Sequence, residues 1–455
     1  MNVVVQPNRS PAEQLVSLVD DENPFDYDPV ETREKQIAAV NERFQDRVQK
    51  IKLLQNRAET GGITEVRTLK DIVPLLFAHT AYKSYPESWL SEEKWDRMGR
   101  WLDTVSVNRV KAQDNTGIKG LDAWLASLEP HGHYVSCSSG TTGKCAMMNA
   151  TMADLEFSGH SLLQALIWQG LKPDRDRRMI ALGQTASTAR NRATGRPMTE
   201  AVTSPQHPPF APNLPPITIG GITEMVVFRK KMADGTATPE EIAAYEAKAA
   251  AREKAMASAA EQVADALIES RHLKLHVMGM FGPLYKATEI VRARGYSGKD
   301  FNPENSGFVS GGLKRMQLPP NYREIVFDTL NLSAERLHQT YGMQELSTNA
   351  PRCKHGRYHV APWVVLLLLN ESGETLVDIP EHGEVEGRAA FFDLSLDGRW
   401  GGIISGDKIR VSFEPCGCGN RSPSIHEDIQ RYADMASGDK IACAGTIDAY
   451  VRGAV

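Results

Sequence analysis

Between residues 30 and 54, apolar side chains recur at Ile37, Val40, Phe44, Val48 and Ile51, every three or four positions, with charged residues filling the gaps. That spacing predicts one amphipathic helix with a charged outer face. Ahead of it, Pro7, Pro11, Pro24 and Pro29 interrupt any regular element, so the first thirty residues read as an irregular arm. A second helical region around 89–105 carries Trp89, Trp95 and Trp101, which read as core rather than as binding platforms. Leu155, Phe157, Leu162, Leu163, Leu166 and Ile167 predict a helix over 153–170, and Arg178-Met-Ile-Ala-Leu reads as a buried strand. Five prolines within 206–216 require an extended loop. Thr238-Pro-Glu-Glu241 then opens a long Ala-rich helix through about Ser270: threonine caps it, Pro239 suits its first turn and Glu241 completes a capping box. A strand begins at Leu273 and runs into a glycine-containing loop, and strand and helix alternate from there to Tyr341. Residues 364–369 read as a strand, Glu371-Ser-Gly-Glu as a turn, and 383–413 as strands and turns. No internal repeat is present. The pattern predicts a large α/β body with a β-rich portion toward the C-terminus.

Composition narrows the function classes. A chain of 455 residues holds two or three domains and a sizeable core. It is 41% hydrophobic and 24% charged, as an ordinary soluble globular protein is. A net charge of −5 gives no electrostatic footprint for nucleic acid or an anionic membrane. The N-terminus lacks the apolar run of a signal peptide and no stretch reaches 18 apolar residues, so no membrane span is expected. Six scattered cysteines suit a reducing compartment, and the expected location is cytoplasmic. The Ala-rich helix leaves room for a homodimer contact.

The stretch richest in chemistry is Ser138-Ser139-Gly140-Thr141-Thr142-Gly143-Lys144, between two apolar runs. Two glycines permit close backbone approach to a ligand, four hydroxyls and the N–H groups offer donors, and Lys144 adds a full charge. Together they suit a polyphosphate. The spacing differs from G-x-x-x-x-G-K-[ST], since Ser138 stands five before Gly143 and Cys145 follows the lysine. Downstream come Ser310-Gly311-Gly312 at the expected end of a strand, Tyr341-Gly342-Met-Gln-Glu345, and Gly406-Asp407 about 60 residues later. In this order the four stretches resemble the adenylate-forming, AMP-producing acyl-activating superfamily. Cys145 departs from the proline usual there.

The resemblance implies that Ser138 to Gly143 and Lys144 cradle the phosphates of ATP. It further implies that Gly311, Gly312, Tyr341 and Gly342 pack around adenine, Asp407 binds the ribose hydroxyls and Glu345 helps to hold Mg2+. A hard cation suits a carboxylate ligand. Separately, Cys353 and His359 follow the Glu345 motif, and Cys416-Gly-Cys418 follows Asp407. These two S/N pairs could converge on a structural zinc, with His355 as the alternative to His359. Together with Pro362-Trp363, they resemble the branch that contains phenylacetate-CoA ligase and bacterial acyl-protein synthetase.

The expected fold is therefore the multi-layer α/β N-terminal body of adenylate-forming enzymes with a β-rich subdomain. Its expected layout is an N-terminal arm and helix over 1–60, the body over 61–350, the β-rich subdomain over 351–445 and a hinge over 446–455. The hinge resemblance rests on Asp448 and Gly453, and the C-terminal lid that normally follows is expected to be absent. The expected activity is ATP-dependent conversion of a fatty or aromatic carboxylic acid to an acyl-adenylate, then transfer to a thiol, either CoA or a protein cysteine such as Cys443. The alternative is a non-catalytic nucleotide-binding subunit or sensor that partners an acyl-CoA reductase. Candidates for the acyl pocket are the segment from Met278 to Pro283 and the strand over 306–310.

Overall fold

The computed structural model describes residues 9–137, 144–184, 188–309, 311, 317–379, 383–435 and 438–439. They form two compact units. One contains the described residues up to 161 together with those from 342 onward; the other contains those from 162 to 341.

The first unit is organised by a seven-stranded, mainly antiparallel sheet. Its longest strands, Val364–Leu369, Glu384–Asp393 and Gly402–Ser412, are adjacent and buried over most of their length. Ser424–Ile425 and then Tyr358–His359 extend the sheet, and Phe77–Ala78 adds in parallel to Gly402–Ser412. The two longest strands carry an irregularity. Arg388 pairs with Lys408 but Ala390 pairs with Ile404, so two extra residues accumulate on the second strand around Ser405-Gly406-Asp407.

The helix Pro29–Arg47 buries Gln36, Ala39, Val40, Phe44 and Arg47, the stripe that its 3.6-residue period places on one side. Phe44 meets Trp400 edge-on at 6.4 Å, and the Gln36 amide donates to the Pro362 carbonyl. The expected continuous helix to 54 is broken. Ile51 is extended, and a second helix, Lys52–Gly61, begins after it, with the Leu53 N–H bonded to the Thr104 carbonyl. The apolar period runs through the break because Ile51 stays buried. The irregular arm also needs correction: Ser10 caps a short helix, Pro11–Val16, through a full capping box, and Pro11 occupies the first turn, where its missing N–H costs nothing. Trp95 and Trp101 lie in a helix, Trp95–Asp103, separate from Ser88–Ser91, and all three tryptophans are buried.

The second unit holds a four-stranded parallel sheet in the order Arg178–Ala181, Leu275–Gly279, Ser306–Val309, Leu337–His338. Helices Phe281–Ala293 and Tyr322–Leu330 connect its later strands, giving the alternation that a parallel sheet requires. Val277, Leu284, Val291, Val326 and Leu330 belong to one core, with Val263 and Leu267 from the end of Pro239–Glu269. Gly307 is required by packing, since an added Cβ would stand 2.7 Å from Val277. Pro239–Glu269 carries the expected Thr238–Glu241 capping box, and only its last third is buried. Helix Phe281–Ala293 starts directly after Met280, where a loop was expected. The chain is thus α/β with a β-rich portion toward the C-terminus. No helix among the described residues is long and apolar enough to cross a membrane.

Candidate functional site

Lys144 emerges beside a two-stranded hairpin, Ser136–Cys137 against Met147–Met148. Its ammonium donates to the Tyr85 carbonyl at 2.8 Å and stands 5.7 Å from the centre of the Tyr85 ring. The Tyr85 hydroxyl in turn donates to the Cys145 carbonyl at 2.6 Å. One buried tyrosine therefore fixes both the lysine and the strand that follows it. Residues 138–143, the remainder of the expected phosphate loop, lie outside the described residues.

Glu345 is half-buried on the loop between Gly342 and Ala350. That loop is anchored by Asp393, whose Oδ2 accepts from the N–H groups of Ser347 and Thr348 at 2.9 and 3.0 Å. Lys83 is also close: burial lowers its pKa, and the Glu345 charge offsets part of that shift. Gly342 opens the loop, and an added Cβ there would overlap the Asn349 side chain.

Asp407 sits in the irregularity of the long strands, where a bulge re-aims side chains. Its N–H donates to Ser405 Oγ at 3.0 Å, and Arg431 Nε lies 3.8 Å from its carboxylate. The bulge is held by Arg388, fully buried, which donates to the carbonyls of Ser405 and Glu371 at 3.0 and 2.9 Å. Its guanidinium carbon lies 3.9 Å from the centre of the Tyr432 ring.

In the second unit, Gly311 has φ +75°, a conformation that glycine adopts without strain, two residues beyond Ser306–Val309. Tyr341 ends the short strand Thr340–Tyr341 and is half-buried. Gly312, Ser310, Cys443 and the expected hinge lie outside the described residues. Met278, Phe281 and Phe308 belong to the packed cores of this unit.

Four side chains are brought together: Cys353, His359, Cys416 and Cys418, whose ligand atoms all lie within 4.8 Å of one another. Cys353 sits on one tight turn, and Cys416 and Cys418 sit on another. The Gly356 N–H returns to the Cys353 carbonyl and the Gly419 N–H to the Cys416 carbonyl, and both glycines take positive φ. His359 is delivered by the strand Tyr358–His359, paired with Ser424. The Sγ atoms of Cys353 and Cys416 are 3.8 Å apart, and Cys418 Sγ is 3.3 Å from His359 Nε2. Zinc–sulfur bonds of about 2.3 Å at tetrahedral angles set S···S edges of about 3.8 Å and S···N edges of about 3.6 Å, so the donor set fits this ion.

The electrostatics differ from donor to donor. Burial pushes the His359 pKa down to about 4, with the Arg357 charge adding to it. Its Nδ1 is 2.8 Å from Ser422 Oγ, and its Nε2 faces Cys418. Burial raises the Cys418 pKa, but hydrogen bonds from the Asn420 backbone and amide and from the two neighbouring thiols outweigh it and lower it overall. Burial pushes Cys416 up to about 12. His355, the alternative ligand, packs against Gly417 instead, where an added Cβ would stand 3.0 Å from its ring. Tyr85, Lys83, Arg388 and Asp393 are not marked by any sequence pattern, because each acts on a residue distant in the chain.

No family model matches the chain, and no curated protein matches it. Among solved structures it is similar to 2-hydroxyisobutyryl-CoA ligase in the postadenylation state with R3-HIB-AMP, at a TM-score of 0.54 and 12% identity, over 91% of this chain and 70% of that one. The same ligase with 2-HIB-AMP and CoA in the thioesterification state gives 0.53 and 13%, over 91% and 71%. At these identities the likeness is one of fold: the chain has the fold of AMP-forming acyl-CoA ligases.

Proposed function

We propose that this protein is an AMP-forming acyl-activating enzyme. It would convert a carboxylic acid and ATP to an acyl-adenylate and pass the acyl group to a thiol. The observation that carries the reading is the fold shared with a ligase whose complexes hold an acyl-AMP and CoA. The four nucleotide motifs support it by their order along the chain.

In the first step a carboxylate oxygen forms a bond to the α-phosphorus, and the α–β phosphoanhydride bond breaks to release pyrophosphate. In the second, a thiolate attacks the acyl carbonyl and AMP leaves. The protein's contribution to the first step is positioning and charge stabilisation rather than a nucleophile. Lys144, once released from the Tyr85 carbonyl, supplies positive charge to the phosphates. Asp407, aimed by its bulge, accepts from the ribose hydroxyls. Gly311, Gly312, Tyr341 and Gly342 are proposed around adenine, and Ser138 to Gly143 around the phosphates. Glu345 is an oxygen ligand on an anchored loop, as Mg2+ requires, and the ion would neutralise charge on the departing pyrophosphate. The acid is proposed to be fatty or aromatic, and the thiol to be CoA or a protein cysteine.

Cys353, His359, Cys416 and Cys418 are proposed to hold zinc in a structural role, since four protein donors leave no position open for substrate.

The test is pyrophosphate release from MgATP over a panel of fatty and aromatic acids, with and without CoA. Acid-dependent release, accelerated by CoA, is the expected result. ATP binding without release for any acid would favour a non-catalytic nucleotide-binding subunit. Absence of ATP binding would overturn the assignment.

A further inference from the structure

The Glu345 loop and the Lys144 hairpin are far apart in sequence, yet one side chain holds both. Arg399, in the connection between strands Glu384–Asp393 and Gly402–Ser412, is fully buried. Its Nη1 donates to the Asn149 carbonyl at 2.9 Å. Its Nη2 donates to the carbonyls of Gln344 and Glu345 at 3.3 and 3.0 Å. Asn149 directly follows the hairpin strand Met147–Met148, and Glu345 is the proposed magnesium ligand. The arginine is itself fixed from behind, because Arg47 donates to its carbonyl at 2.9 Å.

Burying a guanidinium is expensive, and carbonyl acceptors compensate it less well than a carboxylate does. A neutral amide could bond one such carbonyl at lower cost. What arginine alone provides is a rigid planar fork that serves two chain segments at once. Asp393 completes the arrangement from the neighbouring strand end by taking the N–H groups of Ser347 and Thr348. Carbonyls are thus held on one side of Leu346 and N–H groups on the other, which leaves the Glu345 backbone little freedom to slide.

The geometry points to Arg399 as a positioning residue that locks the Glu345 loop to the Lys144 hairpin, so that the magnesium ligand and the phosphate-binding lysine keep a fixed spacing. The inference rests on the proposed adenylation reaction for its consequence, but the mechanical coupling stands on the hydrogen bonds alone. Burial pushes the Tyr82 pKa up to about 12, with the Arg399 charge lowering it and the Glu345 charge raising it, so both charges act on one neighbourhood.

The test is Arg399→Lys in the full chain, which keeps the charge and loses the fork. In pyrophosphate release, the Mg2+ concentration for half-saturation should rise at least about tenfold and kcat should fall, with the KM for the acid within about twofold. In hydrogen exchange followed by mass spectrometry, 344–349 and 146–150 should lose protection together, with Leu275–Gly279 unchanged. A lowered melting temperature with unchanged Mg2+ dependence, or faster exchange in one segment only, would overturn the coupling. If the unsubstituted protein releases no pyrophosphate, the adenylation reading fails, while the exchange measurement still decides the coupling. Should Arg399→Lys not fold, Asp393→Asn takes its place: weakening the hold on 347–348 must also expose 146–150 if the two segments are locked, and must not if they are independent.

Discussion

Glu345 and Asp407 reach their positions by different devices, and the difference sets what their substitution does. Glu345 is carried on a loop held by buried groups through its main-chain atoms, Asp393 at the N–H groups of Ser347 and Thr348 and Arg399 at the Glu345 carbonyl. Glu345→Gln should therefore lower acid-dependent pyrophosphate release by about a hundredfold or more, the scale for removing one electrostatic stabiliser. The circular dichroism and melting temperature should stay as they are; a variant that unfolds would make Glu345 structural instead. Asp407 is aimed by a strand irregularity in which Arg388 holds the Ser405 carbonyl. Asp407→Ala should weaken ATP binding by about tenfold or more in calorimetric titration, since a charge-assisted hydrogen bond contributes about 1.5–3 kcal/mol. Unchanged affinity would remove Asp407 from the nucleotide site. At this scale the sequence displays the groups that would meet ligand, because motif chemistry is local. It hides Tyr85, Arg388 and Asp393, because these act on backbone atoms 17 to 60 residues away, for which no residue pattern exists.

At the scale of elements, legibility follows how local the determining physics is. The helix Pro239–Glu269 begins where Thr238, Pro239 and Glu241 require, since a capping box is complete within four residues. The break after Arg47 is not visible in the same way: the apolar period continues through it, and it is Leu53 bonding to Thr104 that turns the chain. The bulge at Asp407 is likewise a property of two strands in register, which neither strand shows alone. The four-donor cluster is intermediate. Its residue types are legible, but that two turns and a strand bring the four donor atoms within 4.8 Å of one another is not. It ties the turn at Cys353 to the turn at Cys416 and to the sheet's outermost strand pair. Protein purified without added metal should carry about one zinc per chain by elemental analysis. Stripping it with a chelator, or Cys418→Ala, should lower the melting temperature by about 5 °C or more. Less than about half an equivalent of zinc, or a metal-independent melting temperature, would leave the cluster as reduced thiols.

For the whole molecule, the balance of charge with pH is governed by histidines buried in the neutral form. In the parallel-sheet unit, burial pushes His276 down to about 3, helped by the charges of His338 and Arg177, and pushes His338 down to about 4. His276 Nδ1 bonds Ser306 Oγ at 2.9 Å, and its ring lies 6.4 Å from that of His338, so a proton on either would be unwelcome to the other. In the other unit, burial holds His79 down at about 4 against the opposing pull of Asp439. Unfolded, each of these rings titrates near pH 6.5, and so below that pH the unfolded chain binds protons that the folded chain refuses. The sign follows directly: the stabilisation is complete above about pH 6.5 and is lost as pH falls through the window down to about 4. The slope is at most about 1.4 kcal/mol per pH unit for each histidine. Urea midpoints should accordingly be flat from pH 7.5 to 6.5 and fall steadily from 6.5 to 4.5. His338→Gln, which cannot take up a proton, should flatten that decline by up to one histidine's share even if its stability at pH 7.5 is lower. A decline that begins only below pH 4.5, where carboxylates protonate, would show that the buried rings accept protons in the folded state and would remove them as the cause.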